Sequence, residues 1–401
     1  MNIRRILMDS NQRKIANIHD FSLDFDSMAG HLNDLKKKYS SGLIIPIKGS
    51  DIDSPGLPKM IEEINQCDYL SKVIIALSVD NRKDYDKVLR LSKNFKTQCE
   101  VAWCNKPEVL SVLQDLKHKG LDITSLSGKG KDVWIAIGIA SLDLFAFVLH
   151  DSDIVSYSKM LPTKLLYPII EPKLDFFFSK GYYARISIEN RKLYGRINRI
   201  FIGPLLEVLQ EKLRYSRFLT YLQSFSYPLA GEVAIYSDLA THIRIPNDWG
   251  LELGLLAELY RNASYRRICE VDLGIYDHKH KEVSADALLK TAEDSFVTLL
   301  RTLTEMENIE VSESFLVSLQ VAYRRLAQDK IRQYHADAIC NNLDFNRHEE
   351  EVDVDLLCNV ILSGGRKYLG NPMKTQLPDW LRAISAMPDI RERLREEAIE
   401  A

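Results

Sequence analysis

Between Leu43 and Leu149, short runs of strand-favouring apolar residues alternate with amphipathic helical stretches, and this alternation restricts the fold more than any other feature of the chain. The pattern predicts strands over 43–47, 73–77, 100–103 and 144–149, with helices over 57–65, 84–92, 107–117 and 132–141 between them. Such units join parallel strands through right-handed crossovers, so we expect an α/β fold built on a mostly parallel, Rossmann-like sheet with helices on both faces. The run Leu144–Leu149 is apolar without alternation, as in a strand buried on both sides, and it stops abruptly at His150, Asp151, Ser152 and Asp153. Ligands of open α/β sheets sit outside the carboxyl ends of the strands, so Asp151 and Asp153, on one edge of the tip, are placed to meet one. Asp-x-Asp supplies hard oxygen ligands suited to Mg²⁺ or Mn²⁺ bound to a diphosphate, although the same pair also occurs in helix caps and solvated turns.

Several classes are disfavoured. Neither a Gly-x-Gly-x-x-Gly fingerprint nor a Walker A loop is present, which argues against a dinucleotide oxidoreductase or a P-loop NTPase. A net charge of −3 gives no general attraction to nucleic acid or to an anionic membrane. No stretch reaches the length of a membrane-spanning helix, and the start Met1-Asn-Ile-Arg-Arg5 lacks the apolar core of a secretory signal, so a cytoplasmic protein is expected. The six cysteines are scattered without a Cys-x-x-Cys pair, which points to buried thiols rather than to disulfides or a zinc ribbon.

Polar islands interrupt the apolar pattern further along. Gly128-Lys129-Gly130 lets backbone approach a ligand and offers a lysine to phosphate, or is a plain glycine turn. Lys180-Gly-Tyr-Tyr-Ala-Arg185 places aromatics beside basic groups; such clusters stack on a sugar or base, or form core with a snorkelling lysine. Arg196 and Arg199 stand just before an apolar helix expected over 200–213, a position that traps anions, although surface ion pairing is the usual fate of such residues. Pro228-Leu-Ala-Gly-Glu232 and Trp249-Gly-Leu-Glu-Leu-Gly254 each set a glutamate in apolar surroundings, where it needs a partner. Glu252 either favours the N-terminus of its helix or faces the cleft. A strand expected over 268–275 leads to His278 and His280, two histidines on one face of an extended segment, either an exposed polar edge or a metal pair. Before the first strand lies a short helix, expected over 31–38; beyond Ala285 the pattern is helical to the end, a module for oligomerisation or for bracing the sheet.

In this order, the islands resemble the glucosyl-3-phosphoglycerate synthases, retaining glycosyltransferases of the A-type fold. The resemblance runs from about Leu43 to Ser284, and the tail is similar to the helical C-terminus of archaeal and bacterial members. It implies an N-terminal extension at 1–42, a nucleotide-sugar-binding half at 43–155, an acceptor-binding half at 156–284 and an α-helical module at 285–401. By the same resemblance Asp153 and His278 hold Mg²⁺ or Mn²⁺. Pro46, Ser78, Lys129, Asp151 and Ser152 bind the NDP-glucose donor. Gly195, Arg196, Asn198 and His280 bind 3-phosphoglycerate. Asp153, Glu252 and Lys129 serve catalysis, with Glu252 orienting the glucose hydroxyls. The implied product, glucosyl-3-phosphoglycerate, leads to the compatible solute glucosylglycerate, and a homodimer is expected. Two departures stand out: Gly49-Ser50-Asp51 replaces Asn-Glu-Glu of actinobacterial members, and Tyr276 replaces the arginine before the metal histidine. Three alternatives stay open: a mannosyltransferase on the same scaffold, a non-catalytic sugar-nucleotide sensor, and a nucleotidyltransferase.

Overall fold

The computed structural model describes residues 12–247, 250–278, 285–372 and 376–400. The alternation does build a sheet: β1 (Ala16–Ile18), β2 (Ser41–Lys48), β3 (Leu70–Ser78), β4 (Cys99–Trp103), β5 (Ala146–Leu149), β6 (Phe178–Ser187), β7 (Lys192–Leu193), β8 (Val233–Tyr236) and β9 (Ile268–Tyr276). The helices are α1 (Phe25–Leu35), α2 (Gly56–Ile64), α3 (Arg82–Ser92), α4 (Pro107–His118), α5 (Lys129–Asp143), α6 (Met160–Ile170), α7 (Gly203–Lys212), α8 (Arg217–Leu222), α9 (Ser237–Thr241) and α10 (Leu251–Asn262). The tail adds α11 (Ala285–Glu307), α12 (Glu313–Cys340), α13 (Arg347–Gly370), α14 (Trp380–Ala386) and α15 (Ile390–Ala398).

The spatial order is β1-β9-β6-β8-β5-β2-β3-β4, with β7 paired to β6. Every pairing along this order is parallel except those of β8, which runs antiparallel to both β5 and β6. The chain moves outward from β2 to β4 and then returns to β5 on the other side of β2. That reversal opens a crevice beyond the carboxyl ends of β2 and β5, the position where such sheets bind ligands.

Two apolar layers cover the sheet. One face packs against α2, α3 and α6 through residues such as Ile45, Met60, Val88 and Leu165; the other packs against α4 and α5 through Ile44, Leu113 and Ile135. Helix α5 is buried nearly all round because the tail closes over it. Trp380 stacks on Trp134 at 3.9 Å; the Trp134 indole N–H donates to the Pro378 carbonyl and the Trp380 indole N–H to the Trp134 carbonyl. At the far edge α15 is tied to the sheet by Arg395 on Glu100 (2.8 Å) and by an Ala102–Ile399 bridge.

Several expectations shift. The first helix runs Phe25–Leu35 rather than 31–38 because Asp24 caps it, accepting the Ser27 N–H. Helix α5 starts at Lys129, three residues early, capped by Gly128 at φ +112°. The helix expected from Ile200 opens instead with a wide π-turn over Ile197–Ile202, whose first residues follow the left-handed Gly195 (φ +76°). Residues 16–18, inside the stretch expected to be an extension, form the edge strand beside β9.

Candidate active site

Strand β5 ends opposite Ile44 and Val233, and the chain turns out through His150 to Asp151, Ser152 and Asp153. His150 is fully buried; its Nδ1 meets the Tyr157 hydroxyl at 2.9 Å, and burial pushes the imidazole down to about 3, so the ring is neutral and acts as a wedge. Asp151 faces the cleft, where Lys129 Nζ lies 2.5 Å from its Oδ1. Burial alone would raise this carboxyl; the charge and hydrogen bond of Lys129 outweigh it and hold Asp151 below its ordinary value. Asp153 behaves oppositely: burial and the neighbouring Asp151 charge push it up to about 6. Among the described residues its carboxylate has neither a hydrogen bond nor an ion pair.

The far end of β9 is stitched to this tip. Ile154 and His278 form an antiparallel bridge, the Val155 and Ser156 amides donate to the Asp277 carbonyl (2.8 and 3.1 Å), and the Asp277 amide donates to Ser156 Oγ at 2.8 Å. His278 is thus bridged to Ile154, the residue after Asp153, although a whole lobe of sequence separates the two segments. Arg185 Nε donates to His278 Nδ1 at 3.2 Å, and the same guanidinium lowers the proton affinity of Asp151 and Asp153. One positive group thus bears on the histidine and on both aspartates, whose oxygen and nitrogen donors are of the kind a divalent cation takes. No group of three or more His, Cys, Asp or Glu side chains among the described residues is arranged to hold a metal, so a cation here needs further oxygen ligands from whatever binds beside it.

On the donor side the glycines of Gly128-Lys129-Gly130 have a packing reason. A Cβ on Gly128 would lie 2.7 Å from the Asn247 carbonyl, and one on Gly130 would collide with that of Pro246. Their absence lets the segment before α10 lie across the start of α5, leaving Lys129 aimed at Asp151 with Glu252 4.0 Å away. Ser78 ends β3 beside Lys48 and hydrogen-bonds the buried Asp132. Pro46 lies beyond the last β5 rung, where β2 pairs with β3 alone, so its missing N–H breaks no ladder. Ser152 is buried behind the tip.

On the acceptor side a Cβ on Gly195 would meet the Tyr227 hydroxyl at 2.7 Å. Arg196, about one-third exposed, pairs with Asp353 of α13. Arg199 is buried and grips Glu350 through two nitrogens (2.8 and 3.2 Å), so it serves the tail rather than a ligand. Asn198 is buried, and its side-chain oxygen has no hydrogen-bond partner among the described residues. His280 lies outside the described residues.

A glucosyl-3-phosphoglycerate synthase of Methanococcoides burtonii is 48% identical over 395 residues, 98% of each chain. One from Persephonella marina is 36% identical over 365 residues, 89% of each. The chain belongs to the glucosyl-3-phosphoglycerate synthase family. No protein-family model matches it. Among solved structures, the Mycobacterium tuberculosis synthase with Mn²⁺ and UDP-glucose superposes with a TM-score of 0.54 at 18% identity, covering 72% of this chain and 87% of that one. Its complex with Mn²⁺, UDP and phosphoglyceric acid gives 0.51 at 19% identity, covering 68% and 82%. At this identity the likeness carries the fold: an A-type glycosyltransferase sheet, mostly parallel, with a helical C-terminal extension.

Set in this family fold, the cleft holds residues that the sequence reading left without a role. Glu232 is fully buried and accepts from Tyr276 (2.6 Å) and Tyr183 (2.8 Å), whose rings stack at 4.1 Å. Burial and Asp151 raise its carboxyl; the two phenols oppose this. Tyr276 is thus a partner of Glu232. Lys180 does not snorkel: it is 1% exposed, and its ammonium donates to the Ala230 carbonyl. The signal was present, since charges inside an otherwise apolar strand require partners, but the partners lie in other segments.

Proposed function

We propose that the chain transfers glucose from an NDP-glucose to the 2-hydroxyl of D-3-phosphoglycerate with retention of the α configuration. The observation that carries this reading is the Ile154–His278 bridge, which ties His278 to the strand tip next to Asp153, a carboxylate with no direct partner among the described residues, in a chain of this family. Relatives that bear the family name, and mycobacterial structures that contain Mn²⁺ or Mg²⁺, UDP-glucose and phosphoglyceric acid, support it.

Asp153 and His278 would hold Mg²⁺ or Mn²⁺, which neutralises charge developing on the diphosphate leaving group. Lys129 fixes Asp151 and lies over the donor phosphates. Pro46, Ser78 and Ser152 line the donor, with Asp151 on its ribose or sugar. Glu252, at the N-terminus of α10 and near Lys129, orients glucose hydroxyls. Gly195, Arg196, Asn198 and His280 receive the acceptor's phosphate and carboxylate. No carboxylate has been assigned as a nucleophile, so the reaction is a front-face displacement: the bond from C1 to the phosphate oxygen breaks, the bond to the 2-oxygen forms, and the hydroxyl proton passes to the departing phosphate. Catalysis then rests on positioning and on charge.

In the same reading, residues 43–155 act as the donor half, 156–284 as the acceptor half, and 285–401 as a brace. The protein works in the cytoplasm as a homodimer; exposed Val317 and Val321 on α12 suit such a contact, and among the described residues no helix is long and apolar enough to cross a membrane. Product analysis with 3-phosphoglycerate, Mg²⁺ and a panel of UDP-, GDP- and ADP-glucose plus GDP-mannose tests the reaction. We expect α-glucosyl-3-phosphoglycerate. A mannosyl product, a β-linkage, or no product from any glucose donor contradicts the reading.

A further inference from the structure

Lys180 is the one lysine on β6, and it is buried where ordinary packing would place an apolar side chain. Its ammonium has three N–H donors, one of which reaches the Ala230 carbonyl. That contact fixes the segment Ala230-Gly231-Glu232, whose second anchor is the Gly181 amide donating to the Glu232 carbonyl at 2.8 Å. The segment bears directly on the cleft: a Cβ on Gly231 would stand 3.4 Å from Asp151 Oδ2, and Glu232 carries the Tyr183–Tyr276 pair.

The surrounding charges come from four elements. Glu252 of α10 is the strongest electrostatic partner of Lys180, followed by Glu232 before β8 and Glu270, its neighbour on β9; Lys129 of α5 opposes them. Glu252, in turn, is raised by burial and held down by Lys129 and Lys180. An uncharged residue at 180 would leave Glu252 and Glu232 with Lys129 as the remaining lysine to balance them, and Lys129 is already spent on Asp151.

We propose that Lys180 is a positioning residue for sugar transfer: it seats the Ala230–Glu232 segment against Asp151 and sets a positive charge against Glu252. This rests on the glucosyltransferase reading for its kinetic consequences, but not for its structural ones. Burial brings the Lys180 ammonium down to about 8, so raising the pH through that value discharges it while Lys129 keeps its proton.

Two variants test the assignment. Lys180→Met removes donor and charge; Lys180→Gln keeps a donor for the Ala230 carbonyl and drops the charge. For Lys180→Met we expect kcat to fall about 100-fold, with KM for 3-phosphoglycerate little changed, as for a misplaced reacting group. Lys180→Gln should fall less. In the unaltered enzyme kcat should decline as pH rises through about 8, and that limb should vanish in both variants. A crystal structure of Lys180→Met should show the Ala230–Glu232 segment displaced from Asp151. Folded variants with unchanged kcat and pH profile, or an unmoved segment, overturn the proposal. If neither variant folds, the pH profile of the unaltered enzyme decides, and absence of the alkaline limb overturns it. Absence of product from the unaltered enzyme is a failure of the glucosyltransferase reading instead, and the variant structure still judges Lys180.

Discussion

The molecule carries two ionic clusters at opposite ends of its sheet, and they are built on opposite terms. Toward the amino ends of β3 and β4, Lys72 meets Glu100 (2.9 Å) and Asp143, while Arg395 of α15 meets the same two carboxylates (2.8 and 3.0 Å). Two cations and two carboxylates pair with one another, each cation meeting both carboxylates. At the carboxyl end of β5, Asp151, Asp153, Glu232 and Glu252 stand against Lys129, Lys180 and Arg185, and Asp153 has no direct partner among the described residues. The first cluster is balanced and holds the tail to the sheet. The second is short of positive charge before any phosphate arrives, and a deficit of that kind in a cleft marks a place where chemistry is done at some cost to stability.

The sharpest way to break this comparison is to neutralise the unpartnered carboxylate. Asp153→Asn should lower kcat by about 10²–10³ while leaving Tm unchanged or slightly raised, because an uncompensated charge next to Asp151 is removed; steady-state kinetics beside a melting curve checks both. The balanced cluster should respond in reverse. Lys72→Met leaves the buried Glu100 sharing Arg395 with Asp143, and we expect a loss of about 2 kcal/mol in urea unfolding, below the value for a fully buried pair since Asp143 and Arg395 are about one-third exposed. Its kcat should match the unaltered enzyme.

Smaller effects sharpen the boundary between the two. Arg196→Ala should raise KM for 3-phosphoglycerate about tenfold, a charge-assisted hydrogen bond's worth, with the donor KM unmoved. Asp353→Asn frees Arg196 from its ion pair and should not weaken acceptor binding; equal effects on donor and acceptor would remove Arg196 from the acceptor site. Smallest is the pH dependence set by His150. Its ring is neutral in the folded protein down to about 3, whereas the unfolded ring takes a proton below about 6.5. Between these values the unfolded state binds more protons, so stability falls as pH falls. His150→Phe should flatten the curve of unfolding free energy from about pH 6.5 to about pH 4.

How much of this was legible in the sequence follows from how far each cause reaches along the chain. The strands β2 to β5 and their helices could be read because burial on both faces leaves unbroken apolar runs, and the strand-tip position of Asp151 and Asp153 followed from where one run stops. The insertion of β8 between β5 and β6, and the edge pairing of β1 with β9, could not: periodicity says which face a residue takes, not which strand lies beside it. The same limit applied to charges. Arg196 and Arg199 were visible, but their partners Asp353 and Glu350 lie on α13, and the burial of Lys180 depends on a carbonyl at residue 230. Gly128 and Gly130 were read as a phosphate approach or a turn; their contact with Pro246 and Asn247 shows a packing need that spacing alone does not express.

The account stands on a cation closing the charge deficit between the β5 tip and the end of β9. A manganese anomalous difference map from crystals grown with NDP-glucose tests that most directly. We predict one strong peak within coordination distance of both Asp153 and His278, lost in Asp153→Asn. A peak elsewhere in the cleft, or none beside those two side chains with the donor in place, contradicts it.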